Sequence, residues 1–288
     1  MVRTLFVSSR PLSWVNTAYP FAAAYYVTTG ALGWTFIIGT LYFLIPYNLA
    51  MYGINDVFDY ESDLRNPRKG GVEGALVSPA LHRSILVAAL ITSVPFLVYL
   101  VAVGSWLSWL VLAVSVFAVL AYSVPRLRFK ERPLLDSITS STHFVSPAVY
   151  GLVLAGASFV PQLWFLLAAF FLWGVASHAF GAVQDVTADR AAGIASVATV
   201  IGARPTVRLS VVAYLAAAVL LLFTTWPGPL AAILALPYAV SCGLYWNVAD
   251  SDAASANRGW KRFLVFNFVS GFLVTLLLIW YALGRSQS

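Results

Sequence analysis

The sequence predicts an all-α, polytopic membrane protein, with nine transmembrane helices bundled in a single domain over residues 1–288. Composition sets the class. The chain is 60% hydrophobic and 10% charged, with a mean hydropathy of +0.83. A soluble domain carries about 25% charged residues, so this chain has too few charges to cover a water-facing surface. The length of the apolar runs sets the helix count, because about 20 apolar residues span the hydrocarbon core as a helix. The placement of the charges sets the topology.

The runs follow in order at 13–31, 34–54, 84–103, 106–123, 136–155, 161–183, 207–226, 229–248 and 263–283. The first is read as a retained span, because no short apolar core with a small-residue cleavage site precedes it. Gly30 and Gly33 turn the chain into the second run. Gly104 separates the third from the fourth, Gly156 the fifth from the sixth, and Pro227-Gly228-Pro229 the seventh from the eighth; such residues punctuate tight turns. The turns after runs one, three, five and seven hold no charged residue. The N-terminus and the loops after runs two, four, six and eight, with Asp136 and Arg208 at the adjoining ends of runs five and seven, hold every charge except Arg285. One missed or extra span would break that alternation. The positive-inside rule then places the N-terminus and the charged loops in the cytoplasm and the C-terminus outside, as expected of a multi-pass protein of the cytoplasmic membrane. The net charge of +6 is therefore a one-sided field, in part ordinary topology and lipid contact, and no nucleic-acid partner is expected. The single cysteine, Cys242, rules out an intrachain disulfide and reads as a packing residue in an apolar run.

Two acidic stretches stand out against this greasy background. Gly53-Ile54-Asn55-Asp56-Val57-Phe58-Asp59-Tyr60-Glu61-Ser62-Asp63 ends the second run, and Gln184-Asp185-Val186-Thr187-Ala188-Asp189-Arg190 ends the sixth. On a helix Asn55, Asp59 and Asp63 form one polar stripe that drifts by only about 80° over two turns. Like charges at i,i+4 repel. If the two helix ends meet, each pair of carboxylates at ~6 Å costs ~3 kcal/mol at an effective dielectric of about 20. A hard divalent cation relieves that cost. With no Cys or His in either stretch the ligands are all oxygen, which favours Mg²⁺. Basic residues crowd the same face: Arg65, Arg68 and Lys69 after the first stretch, Arg190 after the second, and Arg126, Arg128, Lys130 and Arg132 after run four. Acids and bases together at the mouth of an apolar bundle fit a prenyl diphosphate, whose head needs Mg²⁺ and whose tail needs a greasy tunnel. Asp56 joins the acids as a candidate catalytic residue. Tyr47, Tyr52, Phe58 and Tyr122 lie near the relevant helix ends, where an aromatic face can stabilise a cation; packing is the default role of each. His178 and Asn48 lie two turns deeper than Asp185 and Asn55 on roughly the same faces, and His143 sits in run five. Intramembrane polar groups lean towards functional positions, although a hydrogen-bonded role inside the bundle is the ordinary one. His82 reads as a solvated loop residue. An ion-coupled transporter is the reading from another class, but its acids usually sit near the midplane, and here they lie at helix ends.

Asn55-Asp56-x-x-Asp59-x-x-x-Asp63, Asp185-x-x-x-Asp189-Arg190 with Gly193, Tyr122-Ser123-x-Pro125-x-x-Arg128-x-Lys130 and the opening Ser9-Arg10-Pro11 together resemble the UbiA superfamily of intramembrane prenyltransferases. The resemblance covers nearly the whole chain. It implies nine helices around a lipid-open active-site cavity and a Mg²⁺-bound donor diphosphate. By resemblance Asn55, Asp59, Asp63, Asp185 and Asp189 are the metal set, Arg10, Arg68, Arg128 and Lys130 are diphosphate contacts, with Arg190 added from its place beside Asp189, and Asn48, Tyr52, Tyr122 and His178 are cavity candidates. Quinone- and haem-directed members commonly carry an Arg-Pro pair after the first motif, whereas this chain has Asn66-Pro67-Arg68-Lys69-Gly70-Gly71. With Tyr47–Gly53, that loop looks like the carotenoid-directed branch, the lycopene elongases. The implied reaction adds a five-carbon unit from dimethylallyl diphosphate to a lipophilic polyene, with a quinone precursor, tetrapyrrole or lipid acceptor as the alternative.

Overall fold

The computed structural model describes residues 1–64 and 76–285, and the regular structure among them is helical. In chain order the helices are α1 Val2–Ser8, α2 Trp14–Thr29, α3 Trp34–Leu44, α4 Pro46–Phe58, α5 Tyr60–Asp63, α6 His82–Ala102, α7 Trp106–Ser123, α8 Leu135–Leu154, α9 Pro161–Val183, α10 Val186–Ala191, α11 Val197–Ile201, α12 Ala203–Leu221, α13 Ala232–Gly243 and α14 Asn257–Arg285. Every apolar run of the sequence falls on a helix. Among the described residues six helical stretches are long and apolar enough to cross a membrane: Trp34–Phe58, Pro79–Ala102, Trp106–Ser123, Pro161–Val183, Ala203–Leu221 and Asp250–Gly284. The runs at 13–31, 136–155 and 229–248 are helical too, but are shorter or carry more polar residues.

The second run breaks where Pro46 supplies no N–H to the helix and its ring crowds the preceding turn. Ile45 takes φ −116 and ψ −62 there. Asn48, fully buried, repairs the break: its Nδ2 lies 2.8 Å from the Phe43 carbonyl and 3.0 Å from the Leu44 carbonyl. The same amide donates to Thr17 Oγ1 at 2.7 Å, tying α4 to α2. Asn48, expected as a cavity candidate, thus spends its amide on the backbone that the proline disrupts.

The described chain divides into two compact units. The first holds residues 1–129 and 142–157. Its core is aromatic: Phe21, Phe43, Tyr47 and Tyr150 are buried, and the Phe21–Phe43 and Phe43–Tyr47 ring centroids are 5.3 and 5.1 Å apart. Gly151 lets α8 pass close to α2; a Cβ there would stand 2.8 Å from the Phe21 carbonyl oxygen. Small residues at such crossings are how membrane helices approach closely.

The second unit holds residues 130–141 and 158–288, built on α9, α12, α13 and α14. Val183, Val207, Tyr214, Tyr238 and Phe263 form its buried core, with Trp173 packed against it. Ser177 Oγ and Tyr214 Oη share a hydrogen bond of 3.0 Å, which satisfies two polar groups inside that core.

Outward faces are apolar, as a lipid solvent requires. On α14 Val265, Phe268, Phe272, Leu276 and Ile279 are all exposed. Trp34, Trp106, Trp164, Trp226 and Trp280 are exposed as well, each at the end of its run away from the charged loops. Tryptophan gathers at membrane–water interfaces, and Trp246, at the opposite end of its run, is exposed as well.

Candidate active site

The first acidic stretch is a helix with a kink at Asp59. α4 ends at Phe58, Asp59 takes φ −100 and ψ −2, and α5 resumes at Tyr60. Hydrogen bonds of the helical kind still run through it, from Asp59 N to Asn55 O at 2.9 Å and from Asp63 N to Asp59 O at 2.8 Å. The expected stripe therefore survives. Asp56, Asp59 and Asp63 are 0%, 4% and 7% exposed. Buried carboxylates need counter-charge, and two arginines provide it. Arg10 Nη2 meets Asp56 Oδ1 at 2.7 Å, and Arg128 Nη2 lies 3.6 Å from Asp59 Oδ1. The Arg10 guanidinium also stacks 4.6 Å above the Tyr52 ring. Asn55 Nδ2 donates to Asp59 Oδ2 at 2.6 Å and to Ser123 Oγ at 3.0 Å. These two bonds engage both N–H groups of the Asn55 amide.

Three positions here have left-handed backbone without being glycine: Arg10 with φ 49, Arg126 with φ 78 and Arg128 with φ 39. Each costs on the order of 1 kcal/mol or more, and such strain clusters at functional sites. Arg126 is the third residue of a turn opened by Val124-Pro125 and closed by a 3.2 Å bond from Leu127 N to Val124 O, a position that ordinarily takes glycine. That turn aims Arg128 at Asp59. Tyr122, one residue before Ser123, packs its ring edge-to-face on His143 with centroids 5.4 Å apart.

The second stretch repeats the turn. α9 ends at Val183, Asp185 takes φ −99 and ψ −5, and α10 begins at Val186. Asp189 N again bonds to Asp185 O at 2.8 Å. Asp59 and Asp185 thus share one backbone conformation, each four residues ahead of a second aspartate. Asp185 and Asp189 are half-buried. Arg190 was expected at a diphosphate. Instead its Nη1 meets Asp250 Oδ2 at 2.5 Å and its Nε donates to the Thr199 carbonyl at 2.9 Å. The Asp250 carboxyl is held below its ordinary range, first by the Ala203 N–H and then by Arg190. Lys130 lies 3.9 Å from Glu131 and is largely covered. His178 Nδ1 is 3.1 Å from Ser137 Oγ.

Three further placements were not read from the sequence. Asp136 is fully buried, and its two oxygens accept from the N–H groups of Ser137 and Val197, each at 2.7 Å. A lone acid inside an apolar run was the available signal. Ser123 orients Asn55. His82, read as solvated, bonds through Nε2 to the Val77 carbonyl at 2.9 Å and packs on Tyr60, the residue after Asp59. Arg68 and most of the 66–76 loop lie outside the described residues.

The donor set suits a hard divalent cation, because every ligand atom the two turns offer is oxygen. Among the described residues no three His, Cys, Asp or Glu side chains converge on one point.

The model of the UbiA prenyltransferase family matches residues 17–271. A lycopene elongase/hydratase of Corynebacterium glutamicum is 55% identical over 280 residues, covering 96% of this chain and 97% of that protein. The C(50) beta-cyclic carotenoids biosynthesis protein LbtBC of Dietzia sp. is 57% identical over 284 residues, covering 98% of this chain and 66% of that protein. Among solved structures, a UbiA homolog from Archaeoglobus fulgidus bound to DMAPP and Mg²⁺ superposes with a TM-score of 0.66 at 19% identity, over 92% of this chain and 98% of that one. The chain is a multi-pass membrane protein that belongs to the UbiA prenyltransferase family.

Proposed function

We propose that this protein transfers a five-carbon unit from dimethylallyl diphosphate to the end or ends of lycopene, with Mg²⁺ as cofactor and one membrane domain serving the whole reaction. The observation that carries the reading is the repeated acidic turn: two apolar helices each end in an aspartate of the same backbone conformation, four residues ahead of another. One diphosphate with its cations is a ligand large and charged enough to need both. The names of the relatives support the carotenoid acceptor, and the DMAPP-bound neighbour supports the donor.

Asn55, Asp59, Asp63, Asp185 and Asp189 would hold Mg²⁺, which would neutralise the diphosphate and make it a better leaving group. Arg10 and Arg128 bind its remaining oxygens, joined by Lys130 and, from the sequence, Arg68. Asp56 positions Arg10 and Tyr52 flanks the same guanidinium. Asn48, Tyr122 and His178 are candidates to line the cavity, from their places in the sequence. The allylic C–O bond breaks and its electron pair leaves with the diphosphate. The terminal trisubstituted double bond of the polyene supplies the pair for the new C–C bond. The resulting tertiary cation is discharged by loss of a proton, or by capture of water followed by loss of a proton. An apolar surround keeps bulk water from the allylic cation.

The charged loops face the cytoplasm in this reading. A reporter fused after Trp226 then reads as outside and one after Ala254 as inside; both on one side would refute the topology. The chemical test is pigment analysis by mass in a lycopene-producing host with and without the chain. The expected product gains one or two five-carbon units, with or without water, and keeps the visible absorption of lycopene because the conjugated system is untouched. Unchanged lycopene, with prenylation of an aromatic acid in the same membranes, would move the acceptor to a quinone precursor.

A further inference from the structure

Arg190 follows Asp189 directly, yet its guanidinium is held by a residue 60 positions away. Asp250 does more than pair with it. Its Oδ1 accepts the Ala203 N–H at 2.7 Å at the start of α12, and its backbone carbonyl accepts Thr187 Oγ1 at 3.2 Å from the first turn of α10. α10, which carries Asp189, is therefore gripped at Thr187 and at Arg190 by one residue of the loop before α14. Gly202, with φ 90, brings the chain close: a Cβ there would stand 3.3 Å from Asp250 Oδ1. Arg190 Nε is fixed in turn by the Thr199 carbonyl.

We propose that Asp250 is a positioning residue for the second acidic turn, holding Arg190 away from Asp185 and Asp189 so that the guanidinium does not compete with a divalent cation for those carboxylates. This rests on the reading that those two acids bind the metal. An arginine beside two carboxylates is a strong rival to a cation, since charge-assisted pairs with carboxylates are among the strongest hydrogen bonds. Asp250 supplies a third carboxylate that removes the rival. It fixes the direction of α10 by the same contacts.

The test uses the full-length protein in lipid nanodiscs, with dimethylallyl diphosphate, a polyene acceptor and titrated Mg²⁺. Asp250→Asn keeps an acceptor for the Ala203 N–H and removes the charge that holds Arg190. The dissociation constant for Mn²⁺, titrated into the protein with inorganic diphosphate and read by electron paramagnetic resonance without turnover, rises ~10-fold, the scale of losing an outer partner of a metal site, and the Mg²⁺ concentration for half-maximal turnover rises with it, while the rate at saturating Mg²⁺ changes little. Adding Arg190→Gln to that variant brings the Mg²⁺ requirement back towards the starting value, because the competitor is gone. A purely structural clamp predicts the reverse, with the double variant no better than the single one, and that result overturns the proposal. So does an unshifted Mg²⁺ requirement in Asp250→Asn. Should Asp250→Asn fail to accumulate, Arg190→Gln alone decides: an unchanged KM for the donor supports the proposal, and a rise of ~10-fold, typical of a lost charged contact to substrate, makes Arg190 a diphosphate contact and refutes it. Asp185→Ala run alongside separates the two readings. If it stays active, the metal role of the second turn is wrong. If it is inactive and Asp250→Asn is unshifted, only the role of Asp250 is wrong.

Discussion

The two acidic turns share a backbone and differ in how their charge is balanced. In the first, the acids are buried and the arginines come to them: Arg10 to Asp56, and Arg128 to Asp59. In the second, the acids are half-buried and the neighbouring arginine is drawn off to Asp250. Burial explains the contrast. A carboxylate removed from water needs a counter-charge close by, whereas a half-solvated one is partly screened by water. The first turn therefore holds two arginines against its acids, while the arginine that adjoins the second turn is committed to Asp250.

The largest expected effect tests what the turns have in common. Asp59→Ala and Asp185→Ala each lower turnover by on the order of a thousandfold while the protein still inserts, because each removes a group that stabilises the departing charge. Near-normal turnover of either variant at saturating Mg²⁺ would break the equivalence of the two turns.

A smaller effect tests what separates them. Arg10→Ala leaves Asp56 charged and buried, and the cost is about 3–5 kcal/mol of stability. Arg190→Gln breaks a pair whose partners are 43% and 40% exposed, and the cost is under ~1 kcal/mol. Denaturation of both variants in detergent measures the difference. Equal losses would remove the distinction between the turns.

The smallest effect is acid sensitivity at Asp250, which lies in the loop ahead of α14. Its folded-state pKa is lowered from 3.8. The pair therefore contributes stability that is fully present above the unfolded-state value and lost as pH falls through the lower folded-state one. Asp250→Asn flattens the acid limb of a melting curve recorded downwards from pH 5. An unaltered limb would show that the pair contributes nothing measurable.

The helical class, the positions of the runs and both acidic stretches were legible because each depends on local pattern: apolar length, turn residues, and i,i+4 spacing. The pairings were not. Arg10 with Asp56 joins residues 46 apart, and Asp250 with Ala203 joins residues 47 apart, and no periodicity announces a partner at that separation. The partners of the Asn48 amide nitrogen were hidden for a related reason. A lone amide deep in an apolar run looks like a ligand, and only the break at Pro46 shows which carbonyls it serves. For Arg190 too, sequence adjacency to Asp189 gave no sign of the partner 60 residues away.

The most direct test of the account is a purified, nanodisc-embedded preparation given lycopene and isotopically labelled dimethylallyl diphosphate, with Mg²⁺ or with a chelator. The account predicts label in a carotenoid heavier than lycopene by one or two five-carbon units, formed with Mg²⁺ and absent with the chelator. Label that stays in the diphosphate under both conditions, or that enters the carotenoid equally well without a divalent cation, would contradict it.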